Sequence, residues 1–399
     1  MMQNDFIFTG LQSWDIPIGS NAIDIAKEMA RHNRVLYVNS PLDMMTVLRN
    51  KPTPENKRRF SVIQKKSSPL RKINDTLWVL DLPFVIASVN GLPDGRIFDF
   101  INRRNNKKIF SYVKKIAAEL GFSNPIHFID NDIYRSFYAK EYLQPAISVY
   151  YRRDNLQPFP YWKKHVARLE PMLIEKSDVV VCNSPQLAGF AKRFNPASTD
   201  IGQGVDLSAY DASVAHPIPE KLQNIPAPRI GYIGDINSKR LDADLLYGLA
   251  LSRPAYSFIM TGGEDELFRN HPLHELKNVH FTGSIPKIAV PKFMAALQVC
   301  LNPQLLNEIT IGNYPRKVDE YLAMGKPVVA TATETMQIFK EHTYLCNGLE
   351  EYQVAIDDAL LSDSESHRKN RIQFAETHSW ENNVSNIYQT LATFQKNQP

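Results

Sequence analysis

Short apolar runs alternate with longer amphipathic stretches along almost the whole chain, and no other feature limits its possible folds so sharply. Val35–Val38, Leu77–Leu80, Ile126–Ile129, Ile147–Tyr150 and Val179–Cys182 have the continuous apolar character of strands buried on both faces. Ser20–His32 and Tyr161–Ser177, which lie between such runs, carry apolar residues at helical spacing instead. A strand–helix–strand repeat of this kind predicts parallel sheets covered by helices, with ligands at the carboxyl ends of the strands.

The alternation breaks once. Ala215–Pro228 contains Pro217, Pro219, Pro226 and Pro228 and reads as a linker. Strands then resume at Arg229–Gly234, Ser257–Thr261, Val279–Thr282, Val299–Asn302, Pro327–Ala330 and Tyr344–Cys346. The expectation is an α/β chain of two domains, residues 1–212 and 229–378, joined by 213–228. Residues 379–399, with Val384, Ile387, Tyr388 and Leu391 at helical spacing, form a final helix returning toward the first domain. A chain of 399 residues is long enough for each domain to bury its own core.

Composition narrows the function classes. A formal charge of +4 is too small to argue for a nucleic-acid partner. Cys182, Cys300 and Cys346 lie far apart with no CxxC pair, which suits reduced structural thiols and no metal site. Phe6-Ile7-Phe8 reads as a strand running into a glycine loop, not as a secretory leader, and no apolar run approaches the roughly 18 residues of a membrane span. The expected location is cytoplasmic.

Charge is nevertheless uneven. Arg49–Lys72 holds nine Lys or Arg against one acid, Glu55. Arg103, Arg104, Lys107, Lys108, Lys114 and Lys115 are interleaved with Ile97, Phe98, Phe100, Ile101, Ile109, Phe110, Val113 and Ile116 at roughly helical spacing. Two readings stand: a core helix with a solvated face, or a basic amphipathic surface that docks on an anionic membrane from the cytoplasmic side.

The stretch richest in chemical content runs from Asn302 to Thr331. Pro303 ends a strand, and a loop with Glu308, Gly312 and Asn313 follows. Pro315 suits the first position of a helix, Arg316–Met324 continues it, Gly325 closes it, and Pro327–Ala330 resumes the sheet. A loop entering a helix N-terminus, with Arg316 and Lys317 in the first turn, suits an anionic group. Glu320 stands one turn beyond Lys317, where its carboxylate can accept from a vicinal diol such as a ribose. The plainer alternative is a surface Lys317–Glu320 pair.

Asn313–Thr331 resembles the P-x-K-x-x-E-Y-x-A-x-G-x-P-V-V segment of family 4-like GT-B glycosyltransferases. That group includes bacterial cell-surface polysaccharide transferases of the teichuronic-acid type. Ile230–Gly234 is similar to the strand and turn that open the family's donor domain, Phe281-Thr282-Gly283 to its F-x-G turn, and Asn302-Pro303 to the strand end before its donor loop. Gly202–Asp206 is similar to its N-G-V-D segment and Asn183–Ala188 to the S-x-x-L-A that precedes it.

The resemblance implies two Rossmann-like α/β/α domains facing a cleft, with a UDP- or GDP-sugar as co-substrate and no permanently bound cofactor. It further implies metal-independent, retaining transfer to a hydroxyl of a glycan or lipid-linked acceptor, in bacterial surface polysaccharide synthesis. Glu320 corresponds to the second glutamate of the family's E-x(7)-E motif, which holds the nucleotide ribose. The first glutamate falls at Gly312, and neither Glu308 nor Glu334 has its spacing. Rival readings are a sugar-nucleotide epimerase of the same architecture and a non-catalytic sugar-nucleotide-binding protein.

Other candidates follow from their places at strand ends. Lys239 and Arg240, after Gly234–Ser238, are expected to offset charge on a departing diphosphate, or else are solvated loop charges. Gly234, Gly262 and Gly283 are turn glycines placed to line the base or phosphates, and Asn313 and Arg316 flank the donor loop. Gly19 precedes Ser20 and Asn21, either of which can cap the first helix; the loop is not GxGxxG. Asp130, in Phe128–Asp132, is the candidate for orienting or deprotonating the acceptor hydroxyl, with a capping or turn role as the alternative. Asp154 is a second candidate acid, and His127 reads as a satisfied core residue.

Overall fold

The computed structural model describes residues 4–16, 20–49, 53, 56–310, 312 and 314–396. The chain divides into two units, Met1–Gly202 with Asn383–Pro399, and Gln203–Asn382. The division falls ten residues ahead of the expected end of the first domain. Leu207, Tyr210, Leu222 and Ile225 pack into the second unit's core, so much of the expected linker belongs to that unit.

Strands of the first unit are β1 (Asp5–Gly10), β2 (Arg34–Val38), β3 (Leu70–Lys72), β4 (Leu77–Leu80), β5 (Ile126–Asp130), β6 (Ile147–Arg152), β7 (Val179–Cys182) and β8 (Ser198–Asp200). They form one sheet in the order β3-β4-β2-β1-β5-β6-β7-β8, parallel except for the β3–β4 pair. Its helices are α1 (Asn21–Met29), α2 (Met44–Leu48), α3 (Lys57–Ile63), α4 (Arg96–Glu119), α5 (Ala139–Leu143), α6 (Pro160–Lys176) and α7 (Pro185–Lys192). One face of the sheet packs Ile7, Leu36 and Leu80 against Ile109, Phe110 and Val113 of α4. On the other face Phe8 stacks between Tyr37 and Phe128.

The second unit has β9 (Arg229–Ile233), β10 (Ser257–Thr261), β11 (Val279–Phe281), β12 (Val299–Asn302), β13 (Val328–Thr331) and β14 (Tyr344–Cys346), all parallel in the order β11-β10-β9-β12-β13-β14. Its helices are α8 (Ala243–Ser252), α9 (Glu266–Arg269), α10 (Val290–Ala295), α11 (Arg316–Ala323), α12 (Leu349–Leu361) and α13 (Glu365–Glu376). Alternate strand residues feed two cores. Ile233, Ile259 and Cys300 meet Val318, Tyr321 and Leu322 of α11 on one face. Tyr232, Met260 and Leu301 meet Leu246 of α8 and Ile356 of α12 on the other. This is an α/β/α sandwich.

The last helix, α14 (Trp380–Lys396), begins in the second unit and ends in the first. Trp380 packs on Gly204, where an added Cβ would meet the indole at 2.2 Å. Farther along, Asn33 Nδ2 donates to the Tyr388 hydroxyl at 2.7 Å, and Asn383 Nδ2 donates to the Gly202 carbonyl at 2.8 Å.

Two local expectations need correction. Ser20 stands at the cap position of α1, but its side chain makes no cap hydrogen bond, and Asn21 Nδ2 donates to the Tyr151 hydroxyl instead. Pro315 occupies the cap position of α11 and not its first turn. Cys182, Cys300 and Cys346 are free and buried, and burial pushes each thiol up to about 12.

The turns after β9, β10 and β11 are laced together. Gly234 N–H donates to the Thr261 carbonyl at 2.9 Å, Gly262 N–H to the Gly283 carbonyl at 3.1 Å, and Thr282 N–H to the Met260 carbonyl at 2.9 Å. Gly262, at φ +156°, lies so close to the preceding turn that a Cβ would fall 1.7 Å from the Gly234 carbonyl oxygen. Gly262→Ala is therefore expected to destabilise the protein by about 2 kcal/mol or more. Gly189→Ala, on the exposed side of α7 with no atom near an added Cβ, should stabilise it by up to about 1 kcal/mol. Urea unfolding of both variants checks the opposite signs.

Candidate functional site

In the second sheet β9 is the first strand in the chain. β10 and β11 lie to one side of it and β12, β13 and β14 to the other. The loops after β9 and β12 thus flank a topological switch point, the usual ligand position of an open parallel sheet. The two loops are joined by backbone. Leu305 N–H donates to the Arg240 carbonyl at 2.9 Å, Asp242 N–H to the Pro303 carbonyl at 3.0 Å, and Leu241 and Gln304 form an isolated antiparallel bridge. Asn307 Nδ2 also donates to the Lys239 carbonyl at 2.9 Å.

Lys317, in the first turn of α11, reaches back to the end of β9. Its Nζ donates to the Tyr232 hydroxyl and stands 3.9 Å from the centre of that ring. Burial, with a smaller contribution from nearby Arg240, lowers the amine to about 7 against the pull of Glu320 and Asp235. Arg240 is half-buried, whereas Lys239 is exposed. The structure therefore gathers Arg240, Lys317 and the Gly234 turn, and leaves the Lys239 side chain facing solvent.

Glu320 does not form the surface pair with Lys317. Tyr210 donates a hydrogen bond to its carboxylate, and Arg316 and Lys287 lie close enough to act on it electrostatically; burial pushes this carboxyl up. The Arg316 guanidinium lies over the Trp380 ring, 5.9 Å from its centre. Gly262 is consumed by its contact with Gly234, whereas an added Cβ at Gly283 would meet open space. Gly312 is buried in a turn at φ +75°, while Glu308 and Glu334 are exposed. Gly19 and Asn313 lie outside the described residues.

In the first sheet the same logic selects the loops after β1 and β5, because β2 and β5 flank β1 on opposite sides. Asp130 is fully buried at the end of β5, against Gly10, where an added Cβ would sit 2.8 Å from the Asp130 Cβ. Arg153 Nε donates to its Oδ1 at 2.6 Å, and Oδ2 has no hydrogen-bond partner among the described residues. Burial pushes the Asp130 carboxyl up against the opposing pull of Arg153. Asp132 instead accepts from the backbone N–H groups of Tyr134 and Arg135, which is the turn role. Asp154 accepts from the other arm of Arg153 at 2.7 Å. His127 is buried with Nε2 2.9 Å from the Thr9 hydroxyl; its Nδ1 has no partner among the described residues, and burial lowers the ring to about 3.

Sequence reasoning missed Tyr210, Tyr232 and Arg153. Each acts on a residue distant in sequence, so no local pattern marks it; only Arg153, beside Arg152 at a strand end, carries a positional signal. A surface groove of about 700 Å³ between β8 and α14, lined by Thr199, Asp200, Gln389 and Thr393, presents no cationic side chain and does not compete with this site for an anion.

Residues 227–361 match the family described as Glycosyl transferases group 1. Over 231 residues the chain is 26% identical to a Bacillus subtilis (strain 168) protein named as a teichuronic acid biosynthesis glycosyltransferase, TuaH; the match covers 55% of this chain and 57% of that relative's length. Anabaena HepE, solved in complex with UDP-glucose, superposes with a TM-score of 0.64 at 16% identity, covering 98% of this chain and 99% of HepE. Sucrose-phosphate synthase from Thermosynechococcus elongatus gives 0.62 at 16% identity, covering 99% and 100%. The chain shares the two-domain α/β fold of these structures, the GT-B fold. More narrowly, its second unit carries a group 1 glycosyl transferase domain.

Arg153→Ala leaves Asp130 buried without its counter-ion and is expected to cost roughly 3–5 kcal/mol of stability. Pairing that change with Asp130→Asn should recover part of the loss, a coupling that urea unfolding of the single and double variants measures.

Proposed function

We propose that this protein transfers a glycosyl group from a nucleoside-diphosphate sugar to a hydroxyl of a glycan or lipid-linked acceptor in bacterial surface polysaccharide synthesis. The observation that carries this reading is Lys317 and Arg240 converging on the glycine turn of β9 at a switch point, with Glu320 one helical turn beyond. Lys317, Arg240 and the N-terminus of α11 hold the diphosphate and offset the charge that develops on it as the sugar leaves. Glu320 accepts from the ribose diol, and Arg316 supplies a further positive charge beside it. Asp130 acts on the acceptor hydroxyl through Arg153, whose guanidinium it holds in place. The UDP-glucose complex of HepE and the name of TuaH support a UDP-sugar donor and a cell-surface glycan acceptor. The family resemblance supports retention of anomeric configuration without a metal as part of this reading.

Thermal-shift measurements with UDP, GDP, ADP, CMP and NAD test the donor site. One diphosphate nucleotide at 100 times its Kd should stabilise the wild type by about 2.7 kcal/mol. Glu320→Ala should weaken that response by removing the ribose contact, and equal responses would overturn the ribose assignment. Acceptor-dependent release of nucleoside diphosphate then separates a transferase from an epimerase and from a non-catalytic binder.

An anionic membrane surface is part of the proposal. The Arg49–Lys72 stretch is less available than its composition suggests. Arg58 pairs with buried Asp81 at 2.9 Å, Arg71 with Asp15 at 2.8 Å, and Arg59 donates to the Ser40 carbonyl. On α4, however, all six basic residues from Arg103 to Lys115 are exposed. Ile97 and Phe100 are exposed as well, so they do not join the core as their spacing suggested. Beside them α2 exposes Met44, Met45 and Leu48. Segment 85–88 ties the two helices together: Met44 N–H donates to the Ile86 carbonyl, and Asn105 brackets Ala87. Co-sedimentation with phosphatidylglycerol vesicles is expected at low salt and should fall at high salt. Replacing Met45 and Leu48 with Ser should weaken it at both; no binding at low salt removes the membrane from the proposal.

A further inference from the structure

A buried amine ordinarily meets a carboxylate, and Lys317 does not. Among the described residues no carboxylate oxygen lies within 4.0 Å of its Nζ. The amine rests on a neutral phenol instead. Tyr232 donates its own proton to the Asp235 carbonyl at 3.0 Å, so its oxygen is left to accept from Lys317. Gly234 completes the seat, since an added Cβ there would come within 2.8 Å of Nζ. The charged groups that face the amine are Glu320 on its own helix and Asp235 and Arg240 in the loop after β9. The two acids favour the cation, Arg240 disfavours it, and burial disfavours it most.

We propose that Lys317 waits uncharged on Tyr232 in the empty site and takes a proton from solvent when the diphosphate of a donor arrives. Donor capture is then coupled to proton uptake, and Tyr232 is the positioning residue that holds the amine in its seat. The inference rests on the donor-site reading above and deepens it. The step is a simple protonation: the amine lone pair binds a proton released by the buffer, and no other bond changes. Its sign follows from the free amine titrating near 7. Below that pH the amine is already charged and binding takes up little. Above it each captured donor draws in up to one proton, and affinity falls by up to about tenfold per pH unit.

Isothermal titration calorimetry with UDP-glucose and GDP-mannose, at pH 8 in Tris and in HEPES, reads the proton count from the difference in heat between buffers. The diphosphates of both probes stay fully ionised across this range. The wild type is expected to take up roughly half to one proton per donor at pH 8, given an amine near 7. Lys317→Arg, charged throughout, should bind without uptake. Tyr232→Phe, which frees the amine to reach solvent, should cut the uptake by half or more while retaining binding at pH 6.5. Wild-type binding with no buffer dependence, or uptake that persists in Lys317→Arg, overturns the inference and leaves the donor site standing. Unchanged uptake in Tyr232→Phe removes the positioning role. If neither nucleotide sugar binds the wild type, the donor reading itself fails. The wild-type affinity for UDP-glucose between pH 6.5 and 9 gives an independent measure that needs no variant.

Discussion

The contact between Gly262 and the Gly234 carbonyl sets the geometry of the whole second site. It draws the turns of β9 and β10 closer than any side chain would permit, and hydrogen bonds to the β11 turn hold them there. The floor that results is backbone, with N–H and C=O groups instead of side chains. Tyr232 stands on one side of this floor, and Lys317 descends on it from α11. A bulkier turn at either glycine would lift the lysine away and separate it from Arg240.

Lys317 stands apart from the paired buried charges of both units. In the first unit Arg152 and Glu170 pair at 3.0 Å with both side chains buried, and Arg153 meets Asp130 at 2.6 Å. Such pairs offset part of their desolvation cost and tie β5 and β6 to the loops and helices around them. In the second unit Lys317 has no such partner. On the inference above it avoids the cost of a buried charge by staying neutral and becomes charged only together with an anion, so binding and charge compensation are a single event.

The fold was legible because buried parallel strands leave continuous apolar runs, and the runs read from the sequence all appear as strands. The strands that escaped notice, β3 and β8, are sheet edges, where Leu-Arg-Lys and Ser-Thr-Asp need no apolar run. The candidate site was legible where its residues lie in one segment: Arg316, Lys317 and Glu320 follow a motif within a single helix. It was not legible where function depends on contacts across the fold. Tyr210 lies 110 positions before Glu320, and nothing near it in sequence signals the meeting. The basic stretch of Arg49–Lys72 misled for the same reason, since Asp81 and Asp15 claim arginines that composition counted as free.

The three cysteines have a use outside catalysis. Each is buried in a strand, with a thiol held almost wholly protonated near neutral pH, so native protein reacts slowly with alkylating reagents. Cys182 belongs to the first unit and Cys300 and Cys346 to the second. Every alkylated thiol therefore records an opening of one identified sheet. Mass spectrometry of the labelled peptides would give each unit its own clock, reporting whether the two sheets come apart together or in sequence.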